Sequence, residues 1–374
     1  MTEAAHPTIR RRRRWWLAVL AVLVVLVVGA GVAAVIDLPY YTLAPGDATS
    51  VLSHIVVPAS DRHHVRGDVL LTDVSVTRVS ALSYLFDRWD SDDSVVPASE
   101  ILGPVTPAAQ LAAQGYIEMA QSQSAAKAAA LDRLGYHVGV RDAGTIVFAV
   151  RPGSPAAAVL AVGQIVTAVD GTPTPDSCAL LGALHSVAPG TKVTMSVEQS
   201  SVTANAVLRS GPVVQRSVVL GRRPAGVGSS DCPGVAAGPG GYLGIETETW
   251  QDFDEPISVQ VNTSDIGGPS AGLAMTLGII GSLWRGDLTG GAVVAATGTI
   301  DPTGAVGDVG GVAQKTIAVQ RAGATAFLVP PEEYAVAKSK AQGGLKVYSV
   351  ATLDQALTVL HRLGGQIPPA DPAT

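Results

Sequence analysis

The chain has 374 residues, a length typical of two or three domains, and 47% of them are hydrophobic, which is enough for substantial cores. Its formal net charge of −6 argues against nucleic acid as the main partner. Basic residues are nevertheless concentrated near the start, where arginines run without interruption from Arg10 to Arg14.

The first predicted element is a membrane helix. Residues 15–36 carry no charge and are long enough for a helix of about 33 Å, and Trp15 and Trp16 suit the headgroup zone. The arginines predict that residues 1–14 stay cytoplasmic and that the chain after Asp37 lies outside. A cleaved signal peptide is the alternative, although its apolar core would span only about 7–15 residues. We expect a single-pass anchor in the cell membrane, with the lipid bilayer as a partner.

Residues 37–121 are expected to form an extracytoplasmic N-terminal region. The segment "GDVLLTDVSVTRV" alternates in polarity, which predicts a strand or a hairpin. The alanine-rich segment "PAAQLAAQGYIEMAQSQSAAKAAALDRLG" predicts a helix that ends at Gly135.

Residues 122–222 are expected to form a small mixed domain. Strands are predicted at 145–150, 164–169 and 192–198. A short helix is predicted from Ser154, between the first two strands, and a longer helix at 177–185, before the last strand. Within this region "GSPAAAVLAVGQIVTAVDG" resembles the PDZ domain of bacterial protease-associated proteins.

The PDZ resemblance implies a peptide-binding role. PDZ domains bind an extended peptide, often a free C-terminus, by adding it as a strand to a sheet edge. The implied partners are protein or peptide substrates with C-terminal or extended segments. The carboxylate-binding loop is expected near Leu134, Gly135 and Tyr136. The alternative is a mixed domain without a ligand, in which Tyr136 is an ordinary packing residue.

Two segments rich in glycine and proline lie outside the predicted domains. Residues 223–239 are expected to be a linker, and residues 364–374 a disordered tail. The two cysteines, Cys178 and Cys232, could form a disulfide if the region lies outside the membrane. Two unpaired thiols are the alternative, and two cysteines alone are too few for a structural zinc site.

Residues 240–363 alternate predicted strands and helices. A strand at 292–297 and a helix at 312–322 are followed by a buried strand in "ATAFLVP" and by a strand and helix in "LKVYSV" and "TLDQALTVLHRLG". This alternation predicts an α/β layered domain.

The stretch "DIGGPSAGLAM" places a lone hydroxyl, that of Ser270, at the start of a predicted helix. Pro269 suits the first helical turn, and the run after it puts Leu273, Leu277 and Ile280 on one face. The free N–H groups and the positive end of such a helix favour an oxyanion beside a nucleophile. The alternative is a serine that only caps the helix.

Three motifs of this region, "GGPSAG", "TGTI" and "VGGVAQK", resemble the proteolytic domain of the Lon family, whose members are peptidases with a serine–lysine dyad. The resemblance covers residues 240–363 and implies that Ser270 is the nucleophile and Lys315 the general base. It also implies that Thr297 hydrogen-bonds the lysine amine.

In the same motif, Gly268 and Pro269 are expected to support the serine. Together with the membrane helix and the PDZ segment, the whole chain resembles the membrane-anchored, PDZ-containing Lon-like proteases of bacteria.

The implied chemistry needs an unusual lysine. An amine accepts the serine proton only when it is neutral, so its pKa of about 10.4 must fall by about three units, worth about 4 kcal/mol, to act near pH 7. Burial and the positive end of its own helix are expected to lower the pKa of Lys315.

Two features separate the chain from Lon proteases. Many Lon enzymes carry an acidic residue three positions before the serine, where this chain has Gly267; Asp265 is not assigned that role. No G-x-x-x-x-G-K-[ST] phosphate loop occurs, so we expect no ATPase module and no use of ATP. His63 and His64 lack acidic or cysteine partners at ligand spacing, so neither a metal nor another cofactor is expected.

The sequence therefore predicts a membrane-tethered, extracytoplasmic serine endopeptidase that works without ATP. Its PDZ domain would bind substrates or gate their access. The alternative is a catalytically silent PDZ-bearing scaffold or chaperone on a Lon-like frame, and association with further copies of the chain is left open.

Overall fold

The computed structural model of the chain describes residues 8–87, 89, 91–102, 107–203, 206–224, 232–235, 240–263 and 266–369. Asp265 and most of the predicted linker 223–239 lie outside these described residues. The chain divides into two compact units, a smaller one of Met1–Ala44 and Ser75–Ile101 and a larger one of Pro45–Val74 and Leu102–Thr374.

The described residues form helices and strands with the following bounds. The helices are α1 (Thr8–Val35), α2 (Ser83–Asp87), α3 (Ala98–Ile101), α4 (Leu111–Arg133), α5 (Ser177–His185), α6 (Gly272–Leu283), α7 (Val312–Arg321), α8 (Tyr334–Lys340) and α9 (Leu353–Arg362). The strands are β1 (Asp37–Ser50), β2 (Ile55–Val56), β3 (Asp68–Ser80), β4 (Ser94–Pro97), β5 (Gly139–Val150), β6 (Ile165–Val169), β7 (Thr172–Pro173), β8 (Lys192–Thr203), β9 (Ala206–Val219), β10 (Ile245–Asp254), β11 (Gln260–Val261), β12 (Val293–Ala296), β13 (Thr299–Ile300), β14 (Val306–Gly307), β15 (Ala326–Val329) and β16 (Lys346–Ser349).

The smaller unit contains the predicted membrane helix. Within α1, Trp15–Val35 spans 21 residues with a mean hydropathy of 3.0, and none of it is buried. This stretch is long and apolar enough to cross a membrane, a property that a membrane anchor and a signal sequence share. The start of β1 pairs antiparallel with β4, and Arg78 forms an ion pair with Asp37 at 3.0 Å.

The larger unit is built on a sheet in which β16, β15, β12 and β3 are consecutive neighbours and pair in parallel. Because these strands are parallel, their carboxyl ends meet at one edge of the sheet. The segment "GDVLLTDVSVTRV" forms the single strand β3, and its first half pairs with β12 from the predicted proteolytic region. A segment far from the serine and lysine motifs is therefore part of the same sheet.

Helix α6 lies at the centre of the larger unit and is enclosed on all sides. Leu273, Leu277 and Ile280 are fully buried as predicted, but so is nearly every other residue of the helix. A helix that is apolar all round is typical of a protein core rather than of an amphipathic surface position. The alanine-rich α4 packs against it, since small side chains such as Ala126 and Ala129 allow a close approach.

A second sheet has the strand order β10–β5–β6–β8–β9, with α5 beside it. The predicted strands and helix of the PDZ-like region are all present, and Asp176 caps α5 by accepting a hydrogen bond from Ala179 N at 2.7 Å. The end strand β10 comes from beyond the linker and pairs antiparallel with β5 along its whole length, from Ile245 opposite Val150 to Asp254 opposite Gly139.

The sulfurs of Cys178 and Cys232 are bonded in the structure, and the two Cα atoms lie 5.4 Å apart. The bridge ties the start of α5 to the segment before β10. Since it closes a loop with a sequence separation of 54, we expect a Cys178→Ser, Cys232→Ser double variant to lose about 2–4 kcal/mol of unfolding free energy. Denaturant unfolding of both proteins measures this loss. Mass mapping that finds two free thiols in exported protein would contradict the bridge.

The expectation of a disordered tail needs correction for residues 364–369. Arg133 Nη2 donates to Pro368 O at 3.0 Å, and Gln366 N donates to Asp287 O at 2.8 Å. Ile367 also packs against the larger core. These contacts hold a segment whose composition alone suggested disorder.

Candidate active site

Ser270 lies in a single helical turn, Pro269–Ala271, directly before α6. The turn begins at Gly268, whose φ of +87° is a conformation that only glycine adopts easily. The Gly268 N–H donates to Gly115 O of α4 at 2.7 Å, and Ser122 Oγ donates to Pro269 O at 2.9 Å. Helix α4 therefore holds this turn on both sides of the proline.

Lys315 lies in the first turn of α7 and is only 2% exposed. The helix starts after Gly311, which has a φ of +67°; a Cβ at this position would also lie 2.7 Å from Val74 Cγ2 of β3. The glycine thus lets the start of α7 approach β3 closely, and this approach encloses the lysine.

Thr297 connects the serine turn to the lysine. Lys315 Nζ donates to Thr297 Oγ1 at 3.2 Å, and Thr297 Oγ1 donates to the backbone oxygen of Ser270 at 3.2 Å. The N–H of Gly298 donates to the same oxygen at 3.0 Å. Among the described residues, no hydrogen bond joins Ser270 Oγ directly to Lys315 Nζ. Catalytic contacts are often loose without substrate and tighten when it binds.

Two carboxylates lie near the lysine at the carboxyl edge of the parallel sheet. Asp73 lies on β3, the neighbour of β12 in the sheet, and accepts a hydrogen bond from Asp47 N at 2.7 Å. Glu333 follows β15 and accepts from Val309 N at 3.0 Å. The strand order brings them together although they are distant in sequence.

These surroundings act on the pKa of Lys315 in opposite directions. Burial lowers this pKa, and the negative charges of Asp73 and Glu333 raise it, with a net result of about 8. Burial also raises the pKa of Asp73. A pKa of about 8 leaves about a tenth of the lysine neutral at pH 7, since each pH unit changes the ratio of the two forms tenfold.

The structure brings together Ser270, Thr297 and Lys315, and it places Gly268 and Pro269 directly before the serine. Gly267 packs against Gly115 of α4, where a Cβ would lie 3.3 Å from the Gly115 carbonyl carbon, tighter than an ordinary contact. The hydrogen bonds through Thr297 thus place Lys315 near the serine turn.

The residues of the expected carboxylate-binding loop lie at the end of α4. Leu134 packs against the larger core, and Tyr136 N donates to Leu131 O at the end of α4. The end strand of the PDZ-like sheet is β10, and the loop that enters it contains Gly241 and Gly244. Gly241 N donates to Val187 O after α5 at 2.7 Å, and Gly244 has a φ of +83°.

Sequence reasoning missed Asp73 and Glu333, as well as the role of α4 in holding the serine turn. No motif marks any of them. The one usable signal was the parallel sheet itself, because residues that follow parallel strands gather at one edge.

Comparison with known proteins supports both regions. Residues 241–362 match the sequence model of the Lon protease (S16) C-terminal proteolytic domain, and residues 132–208 match that of the PDZ domain. The Lon protease of Koribacter versatilis is 32% identical over 124 residues, which cover 32% of this chain and 15% of that protein. The Lon protease of Clostridioides difficile is 38% identical over 88 residues, which cover 24% of this chain and 11% of that protein. The chain thus spans a small fraction of the length of these relatives.

Among solved structures, the PDZ domain of an SdrC-like protein from Listeria monocytogenes is 22% identical; the match covers 28% of this chain and 87% of that chain, with a TM-score of 0.21. The family assignment rests on the sequence matches instead.

The structure combines an α/β domain, in which Thr297 links a serine turn to a buried lysine, with a small mixed-sheet domain. More particularly, the chain carries a Lon-type proteolytic domain after a PDZ domain. The predicted fold class is confirmed.

Proposed function

We propose that this chain is a membrane-tethered serine endopeptidase in which Ser270 is the nucleophile and Lys315 the general base. The observation that carries the proposal is the buried amine of Lys315, whose pKa is lowered to about 8 and which is linked through Thr297 to the residue of the nucleophile. The chain contains no phosphate loop, so the reaction is proposed to need no ATP.

The proposed reaction follows from which atoms can exchange a proton. The neutral amine of Lys315 accepts the proton of Ser270 Oγ as that oxygen attacks the substrate carbonyl carbon. The charge that develops on the carbonyl oxygen is stabilised at the positive end of α6. The lysine ammonium then gives its proton to the leaving amine, and water releases the acyl group by the same route in reverse.

The PDZ region is proposed to bind extended segments of protein substrates along the free edge of β10. Its other edge is paired with β5, so unpaired backbone groups remain for strand addition. Helix α5 lies beside this strand, where Ser177 N donates to Thr249 Oγ1 at 3.2 Å. The glycine-containing turn before β10 then occupies the place of a carboxylate-binding loop.

Labelling with a fluorophosphonate probe tests the central proposal. We expect the probe to modify Ser270 in the wild-type protein and to label Lys315→Ala much more slowly, because the hydroxyl then lacks its base. Peptide mapping identifies the modified residue. Labelling at another serine, or equal labelling of the Lys315→Ala variant, would refute the proposed dyad.

The proposed topology places the N-terminus in the cytoplasm and both domains outside it, since the arginines precede the apolar stretch. We expect protease added to intact cells to digest residues after Asp37 and to leave the N-terminal segment protected. Tags at the two ends measure this. Protection of the C-terminal tag in intact cells, with digestion after lysis, would reverse the orientation, and a mature protein that begins after Ala34 would identify a signal peptide.

A further inference from the structure

A cavity of about 310 Å³ opens beside the serine turn. Helix α4, strand β10 and the loop after β13 form its walls, and Pro269 is part of its lining. The cavity therefore borders the residue directly before Ser270. The mechanism described above uses none of the other side chains that line this cavity.

Two glutamates, Glu118 of α4 and Glu248 of β10, face this cavity without a cationic partner. Neither forms an ion pair within the part of the chain that the structure describes, and no lysine, arginine or histidine lines the cavity. Gln121 provides a hydrogen bond to Glu248. The third acid of the lining, Asp301, is already engaged, because its Oδ1 accepts from Thr303 N at 2.8 Å.

The two carboxylates are costly in this position. Burial and the neighbouring Glu248 raise the pKa of Glu118 to about 7, and burial raises the pKa of Glu248 as well. Carboxylates removed from water are normally paired with a cation or become protonated. A cationic occupant would offset the cost of keeping both carboxylates charged.

An independent feature of the wall points to the same kind of occupant. Trp250 is only 8% exposed. Its indole Nε1 has no hydrogen-bond partner among the described residues, and as a donor it suits a backbone carbonyl of a bound peptide rather than the cation itself. Trp250 lines the cavity with Phe253 and Pro269. An aromatic wall suits the aliphatic stem of a long basic side chain, and an indole ring also attracts a cation.

We propose that this cavity is a specificity pocket for a lysine or arginine side chain of the substrate, recognised by Glu118 and Glu248. The proposal rests on the proposed peptidase function, because it assigns the pocket to a substrate segment that reaches Ser270. A bare divalent cation fits less well, since calcium takes 6–8 oxygen ligands and only one pair of free carboxylates is present.

The free edge of β10 makes the pocket reachable for an extended peptide. Glu248 and Trp250 belong to this end strand, so a segment added along its edge passes the cavity mouth. Strand β10 would then both bind the substrate backbone and, through Glu248, help to select a substrate side chain.

The test compares peptide mixtures that differ only in charge. One mixture carries lysine at a fixed position and its partner carries norleucine, which keeps the stem without the ammonium; arginine and citrulline form a second pair. We expect the full-length wild-type protein to prefer the charged peptide in kcat/KM by about tenfold or more, because charged hydrogen bonds are strong. The double variant Glu118→Gln, Glu248→Gln should lose this preference.

The matched control is Asp132→Asn, which removes one exposed carboxylate from the same helix α4. It should keep the wild-type preference. Because each preference is a ratio measured on one preparation, partial loss of folded protein cancels. An unchanged ratio in the double variant, or a ratio of one in the wild type, would overturn the pocket assignment.

A binding measurement separates this proposal from the peptidase proposal. Fluorescently labelled versions of the lysine and norleucine peptides are titrated with Ser270→Ala protein, which should bind them without cleaving them. A lysine preference that disappears when Glu118 and Glu248 are also replaced supports the pocket, whatever Ser270 does. Equal binding of both peptides overturns the pocket, while fluorophosphonate labelling of Ser270 still decides the peptidase proposal.

Discussion

Ser270→Ala and Lys315→Ala are each expected to reduce peptide hydrolysis by about a thousandfold or more, since one variant lacks the nucleophile and the other the base. Alanine fits the turn Pro269–Ala271 and removes only a hydroxyl that the fold does not use, so the Ser270→Ala fold should remain intact. The pair acts as one unit, and the double variant should therefore be about as inactive as either single variant.

Lys315→Arg separates basicity from charge. Arginine keeps the positive charge but cannot become neutral, so it should not restore activity. Two controls match these variants: Ser282→Ala replaces a buried serine of the same helix α6, and Lys338→Arg changes an exposed lysine of α8. Both should retain the wild-type rate. Full activity of Lys315→Arg, or substantial hydrolysis by Ser270→Ala, would place the chemistry on other residues.

The rate of the free enzyme is expected to rise about tenfold per pH unit below pH 8 and to level above it. The pKa of Lys315 is lowered to about 8, and only the neutral amine accepts the serine proton. The measurement is kcat/KM of one peptide between about pH 5.5 and 9.5. A profile that is flat across this range would exclude Lys315 as the base.

Removal of either carboxylate near Lys315 is expected to shift the pH–rate profile. Because the negative charges of Asp73 and Glu333 raise the pKa of Lys315, Asp73→Asn and Glu333→Gln should each lower it, so that the plateau starts at a lower pH. Glu332→Gln is the control, since it removes the neighbouring exposed carboxylate, which does not act on the lysine. A shift toward higher pH in Asp73→Asn would contradict this electrostatic account.

The candidate site residues were identified through the resemblance of short motifs to a known peptidase family, not from their local patterns alone. The serine turn, the threonine and the lysine belong to three short motifs, and each motif specifies its own local geometry: a glycine–proline helix start, the end of a buried strand, and a glycine before a helix. The strands and helices of residues 292–363 that carry a clear pattern were also predictable, because hydrophobic periodicity and turn residues act over a few positions, whereas β10 and α8 were not predicted.

The PDZ region shows the limit of such reasoning. The strands at 145–150, 164–169 and 192–198 and α5 followed from their patterns, but β9 and β10 were not predicted, and the carboxylate-binding loop was expected near Leu134, Gly135 and Tyr136, just before β5 in sequence. In the structure the end strand is β10, which arrives from beyond the linker. Strand pairing between distant segments leaves little local signal, because any alternating strand can pair with several partners.

Local sequence was sufficient for the apolar N-terminal helix and for the elements with a clear pattern, and a family resemblance of short motifs singled out the serine, threonine and lysine as candidates. Tertiary structure decided that β3 joins the proteolytic sheet, that Asp73 and Glu333 lie near Lys315, and that α4 and β10 enclose a pocket beside the serine turn. The physical reason is that a pKa depends on desolvation and on nearby charges. Both are properties of how distant segments pack, and no short stretch of sequence contains them.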